Sequence, residues 1–242
     1  MLLAAAMLLL GANRQALASF SAGDLIQVVY STTDSYEVAT DLGAFAPTTA
    51  YTGSTITFNT NPFPTPGTGA FANSSWSNLN VAYFESAGSS AWVSGPTTGL
   101  QTSGNSQSNF SSAAAAVLAN YAAAGAGSAQ VEQLQSNALS YMSLMDMNSV
   151  KGSFAGLIPG ANGETNLAAL GNGSGSYVDS YLYYYSNVNN PGSGLAVADI
   201  RTFADGTSEI VGSNNATPVP PSVLLMGSGL IGLAGFRRKQ TA

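Results

Sequence analysis

Leu195-Ala196-Val197-Ala198-Asp199-Ile200-Arg201-Thr202-Phe203 is followed by Ala204-Asp205-Gly206-Thr207 and then by Ser208-Glu209-Ile210-Val211. Two alternating runs flank an Asp-Gly pair, which is the strongest short hairpin signal in the chain. Working toward the N-terminus, Ser176 to Ser186 is a second strong strand, rich in tyrosine. In strand geometry Tyr177, Asp179, Tyr181, Tyr183 and Tyr185 share one face, while Val178, Ser180, Leu182 and Tyr184 share the other. Further strands are expected at Leu25–Tyr30, Tyr36–Thr40 and Thr55–Phe58, along Leu79, Val81 and Tyr83, and at Ala91-Trp92-Val93. Ser-Thr-Thr-Asp-Ser between the first two suggests a hairpin. Residues 59–78 read as a loop with Pro62, Pro64 and Pro66, and Phe154–Ile158 as a weak strand.

The middle of the chain changes period. Ser111-Ser112 can cap a helix from Ala113 to Ala124, with Val117, Leu118 and Tyr121 on one side. Gly125-Ala126-Gly127 breaks it, and Ser128 can cap a second helix. There Val131, Leu134, Ala138, Tyr141, Met142 and Met145 form an apolar stripe at helical spacing. The expected fold is therefore mainly β: an antiparallel β-sandwich with a two-helix hairpin inserted at about 111–147, plus a C-terminal hydrophobic helix.

Composition narrows the chemistry. The 242 residues include no His and no Cys, and only 7% are charged. Imidazole triads, zinc thiolate sites and disulfide frameworks are thereby excluded, and no metal or cofactor is expected. Of six positive residues, Arg14 lies near the start and Arg237, Arg238 and Lys239 near the end. From 19 to 236 Lys151 and Arg201 face twelve acids, a net charge of −10. A body so poor in cations is not a nucleic-acid partner. Hydroxyls and amides wet its surface instead.

Both ends read as sorting segments. Leu2–Leu10 is an apolar run of signal-peptide length within residues 1–18. Ala16 and Ala18 supply the small residues read by signal peptidase, so Ser19 begins the mature chain. The body, 19–212, is a single extracellular domain, and 213–218 is a linker. At the other end, Val219-Pro220-Pro221-Ser222 leads into the uncharged Val223–Phe236, closed by Arg237, Arg238 and Lys239. As a helix, Ser222–Phe236 would reach roughly 22 Å, and the basic cluster would hold the cytoplasmic side.

The segment 219–242 resembles the PEP-CTERM sorting signal of Gram-negative bacteria. It departs from the family at one place, since members commonly carry Val-Pro-Glu-Pro. The resemblance covers about 25 of 242 residues and implies a route rather than an activity. It implies transient membrane insertion of the precursor, cutting by the peptidase exosortase near the proline motif, and a mature form at the cell surface or in extracellular matrix. It also implies an association with exopolysaccharide or biofilm. A non-enzymatic surface or matrix protein is the expected function, with no catalytic residues assigned.

Two other readings remain. Tyr181, Tyr183 and Tyr185 would form a platform for sugar rings in a carbohydrate-binding or adhesive module, or else an ordinary packed cross-strand face. A glycan-active enzyme would need two carboxylates roughly 5–10 Å apart in a cleft. The twelve acids show no local pairing.

Overall fold

The computed structural model describes residues 20–58, 62–95, 107–125, 127–146, 148–149, 152–158, 163–173, 175–186 and 194–212. The signal segment, Ser19, the linker 213–218 and the sorting segment 219–242, with its expected hydrophobic helix, lie outside the described residues.

The elements in chain order are β1 (Asp24–Ser31), β2 (Tyr36–Ala44), β3 (Ile56–Phe58), β4 (Leu79–Ala87), β5 (Ser90–Gly95), α1 (Gln107–Gly125), β6 (Gln130–Leu134), α2 (Tyr141–Leu144), β7 (Thr165–Asn166), β8 (Tyr177–Tyr185), β9 (Leu195–Phe203) and β10 (Ser208–Val211). All strands join one antiparallel sheet in the order β3-β10-β9-β8-β5-β4-β1-β2-β6, with β7 added on β4. The fold is mainly antiparallel β, as expected.

The two facing layers are halves of a single curled sheet. The Tyr83 hydroxyl on β4 lies 2.6 Å from the Thr202 hydroxyl on β9 and 2.8 Å from that of Ser208 on β10. Gln27 on β1 donates its side-chain amide to Ser208 at 2.7 Å and to Tyr83 at 3.1 Å. Strands far apart in the sheet order thus meet across its concave side. Leu25, Val29, Val38, Phe71, Leu182 and Ile200 pack there. The convex side carries a second core, in which α1 places Phe110, Val117 and Tyr121 over Ile26, Val28, Phe84 and Val93. Burying each such side chain contributes roughly 1.5–3 kcal/mol.

The expected helical hairpin is half correct. α1 forms and starts earlier than its anticipated Ser cap. The second helix does not span the stripe. Gln130–Leu134 is strand β6, paired with β2 at Ala39↔Val131 and Glu37↔Gln133. That segment also satisfies a period of two, with Val131 buried and Glu132 and Leu134 exposed on the other face. Pairing it satisfies the backbone along β2, which a helix would leave open. Leu134, counted in the helical stripe, is exposed. Helix survives only in α2, capped by Ser140, whose hydroxyl accepts from the Ser143 amide at 3.1 Å.

Phe154 and Ala155 also depart from expectation. They sit at φ 50° and 54° in a buried turn rather than a strand. The Phe154 amide donates to the Met145 carbonyl at 2.6 Å, and its ring packs edge-on to Tyr141 at 6.1 Å. Tertiary packing holds backbone that local preference disfavours. The Asp205-Gly206 hairpin forms between β9 and β10 as expected. Gly206 has φ 86°, and a Cβ there would lie 2.5 Å from the Phe63 carbonyl oxygen, so only glycine fits.

Candidate functional site

β8 crosses from covered to open ground. Toward its end, Tyr183 and Tyr185 are buried in the core beneath the helical layer, while Tyr181 is half-buried against it. The rings of Tyr181 and Tyr183 pack edge-on at 6.2 Å. These three expected platform residues therefore share one face as read, but two of them are core. Burial holds the Tyr183 hydroxyl up at about 12.

At the start of β8 the same face is open. Tyr177 is 43% exposed and stands opposite Phe203 of β9, with ring centroids 5.7 Å apart. The Arg201 guanidinium lies 4.8 Å from the Tyr177 ring centroid, and its Nε is 3.3 Å from Asp179 Oδ1. The register continues the row: Arg201 faces Asp179 on one side and Glu209 of β10 on the other. Glu209 accepts from the Thr57 hydroxyl at 3.2 Å. One step along, Asp199 stands opposite Tyr181. Asp199 is 5% exposed, and its carboxyl is raised to about 6, chiefly by burial, then by Asp179, against the pull of Arg201. Alternation along β9 put Asp199, Arg201 and Phe203 on one face in the sequence. Their register against Tyr177 and Asp179 needed the pairing itself.

Other acids serve the frame. Glu37 is buried beneath α1; its Oε1 accepts from the Tyr121 hydroxyl at 2.6 Å and the Tyr141 amide at 2.9 Å, and its Oε2 from the Met142 amide at 3.0 Å. One carboxylate thus ties β2, α1 and α2 together. The Tyr141 hydroxyl donates to Glu164 at 2.8 Å, and the Ser153 hydroxyl to its other oxygen at 3.1 Å. Glu85 is the opposite case. Both its oxygens are buried without a hydrogen bond, and burial, then Asp24, pushes the carboxyl up to about 8. Trp92 is buried and donates to the Pro47 carbonyl at 2.7 Å. Trp76 is half-buried, edge-on to Phe63 at 6.4 Å.

A cleft of about 50 Å³ opens where the two ends of the curled sheet approach, between Thr40, Asp41 and Leu42 of β2 and Phe58, Gly206 and Ser208. That is room for water molecules, not for a sugar ring. Among the described residues no group of three or more Asp or Glu side chains is arranged to hold a metal ion. The signal residues Ala16, Ala18, Ser19, Val219, Pro220, Pro221, Arg237, Arg238 and Lys239 lie outside the described residues. The chain matches no protein-family model, no curated protein and no solved structure.

Proposed function

We propose that this is an exported, PEP-CTERM-sorted protein of the cell surface or extracellular matrix, non-enzymatic and associated with exopolysaccharide. One observation carries the reading: Val219-Pro220-Pro221, the uncharged run to Phe236 and the Arg237-Arg238-Lys239 end follow one another in the last 24 residues. The N-terminal Ala16-Leu17-Ala18 supports it. In this reading signal peptidase and exosortase process the chain, the inner membrane holds only the precursor, and nucleic acid is no partner. The body suits such a place. Its polar groups are hydroxyls and amides that bind glycans without desolvating ions. Several of its acids, Glu37 and Glu164 foremost, are spent on internal hydrogen bonds.

A reporter fused at the C-terminus, with and without residues 219–242, tests the route. The full chain is expected outside the inner membrane in processed form. Unchanged export and maturation after the deletion would sink the proposal.

A carbohydrate-binding module is the second reading. It is favoured by the exposure of Tyr177 on the tyrosine-rich strand, though not by Tyr183 or Tyr185.

A further inference from the structure

We infer that the open face at the start of β8, with β9 and β10, is a binding site for a glycan bearing free amino groups. The inference rests on the glycan-associated reading above and narrows it to a ligand class.

Three observations converge. The first is a ring held ready. Tyr177 is 43% exposed, yet it is fixed between Phe203 at 5.7 Å and the Arg201 guanidinium at 4.8 Å. Arg201 is itself held by Asp179 at 3.3 Å. A ring ordered before contact loses little freedom when the apolar face of a pyranose stacks on it. The second is a carboxylate that a ligand can reach. Asp199 is 5% exposed as a residue, yet its carboxylate oxygens are not among the buried atoms left without a partner, so solvent reaches them; it lies on the same face one register step away. An incoming N–H or O–H could replace the water there. The third is charge. Asp179, Asp199 and Glu209 surround one guanidinium, leaving a surplus of negative charge on a body of net −10. Uronate or sulfated chains would be repelled and neutral chains would gain nothing from the surplus. An ammonium would neutralise it. The face spans three adjacent strands, about 10 Å across, wide enough for a sugar ring to lie on it.

The test uses the protein as recovered, processed or full-length, and titration calorimetry at pH 6.5 in low salt. Glucosamine oligomers are expected to bind at least ~10-fold tighter than fully N-acetylated oligomers of the same length. Tyr177→Ala and Asp199→Asn should each weaken that binding about 5- to 10-fold while shifting the melting temperature by less than ~3 °C. Tyr36→Ala, exposed on β2, should leave it unchanged. Equal binding of the acetylated oligomers, equal binding of a lysine oligomer, insensitivity to both variants, or no binding would each overturn the inference. A protein that is processed and secreted but binds nothing removes this site alone. Binding by a chain that is never processed removes the export reading and leaves the site standing.

Discussion

The two ends of β8 are built from the same residue type on the same face, yet they have different fates. Tyr183 and Tyr185 lie in the core under the helical layer; Tyr177, six and eight residues earlier, is open to solvent beside Arg201. The strand period placed all of them alike. What separates them is cover: Tyr183 and Tyr185 lie in the core that α1, α2 and the Phe154–Ile158 turn help to build, and Tyr177 lies outside it. A side chain's role here is set by its cover more than by its type.

The sharpest way to break this contrast is to truncate at each end. Tyr183→Ala should cost about 3–5 kcal/mol of unfolding free energy, since it empties a packed site. Tyr177→Ala should cost no more than about 1 kcal/mol. Urea denaturation of the two variants checks both values, and similar losses would show that the strand is evenly buried.

The next test concerns the ties that hold the cover in place. Glu37→Gln replaces an acceptor of three hydrogen bonds by an amide whose nitrogen must face a backbone N–H. A loss of about 2–3 kcal/mol is expected. Amide exchange in Tyr141–Leu144 should rise with it, because α2 is anchored there.

Glu85 sharpens the point from the other side, since it has burial without partners. Its carboxyl sits near 8 in the folded chain, against an ordinary value of 4.5. Between those values the folded form holds a proton that the unfolded form releases, so stability falls as pH rises from about 4.5 to 8. Glu85→Gln should flatten that slope and raise stability at pH 8 by about 1–2 kcal/mol. Parallel pH–stability curves for the two proteins would refute it. Asp199, raised to about 6, should add a smaller slope of the same sign below that pH, absent from Asp199→Asn.

Much of the sheet was legible in the sequence. The Asp205-Gly206 hairpin, the tyrosine strand and the β1–β2 pair are local patterns, and local patterns suffice for them. Gln130–Leu134 was not legible as strand. Its apolar spacing fits helix as well as strand, and the need of β2 for a neighbour, ninety residues away in sequence, decides between them. Tyr181, Tyr183 and Tyr185 do share one face, but Tyr183 and Tyr185 are core and Tyr181 is half-buried. Cover by residues far along the chain is a long-range fact that no strand period contains. Arg201 stood out as one of two cations in the body, yet its place over Tyr177 depends on the β8–β9 register.

The proposal rests above all on two processing steps expected at either end of the domain, and the intact mass of the protein recovered outside the cell would read both at once. The expected mass corresponds to a chain beginning at Ser19 and ending near Val219–Pro221, with or without an attached group. Recovery of the unprocessed 24.5 kDa chain would contradict it.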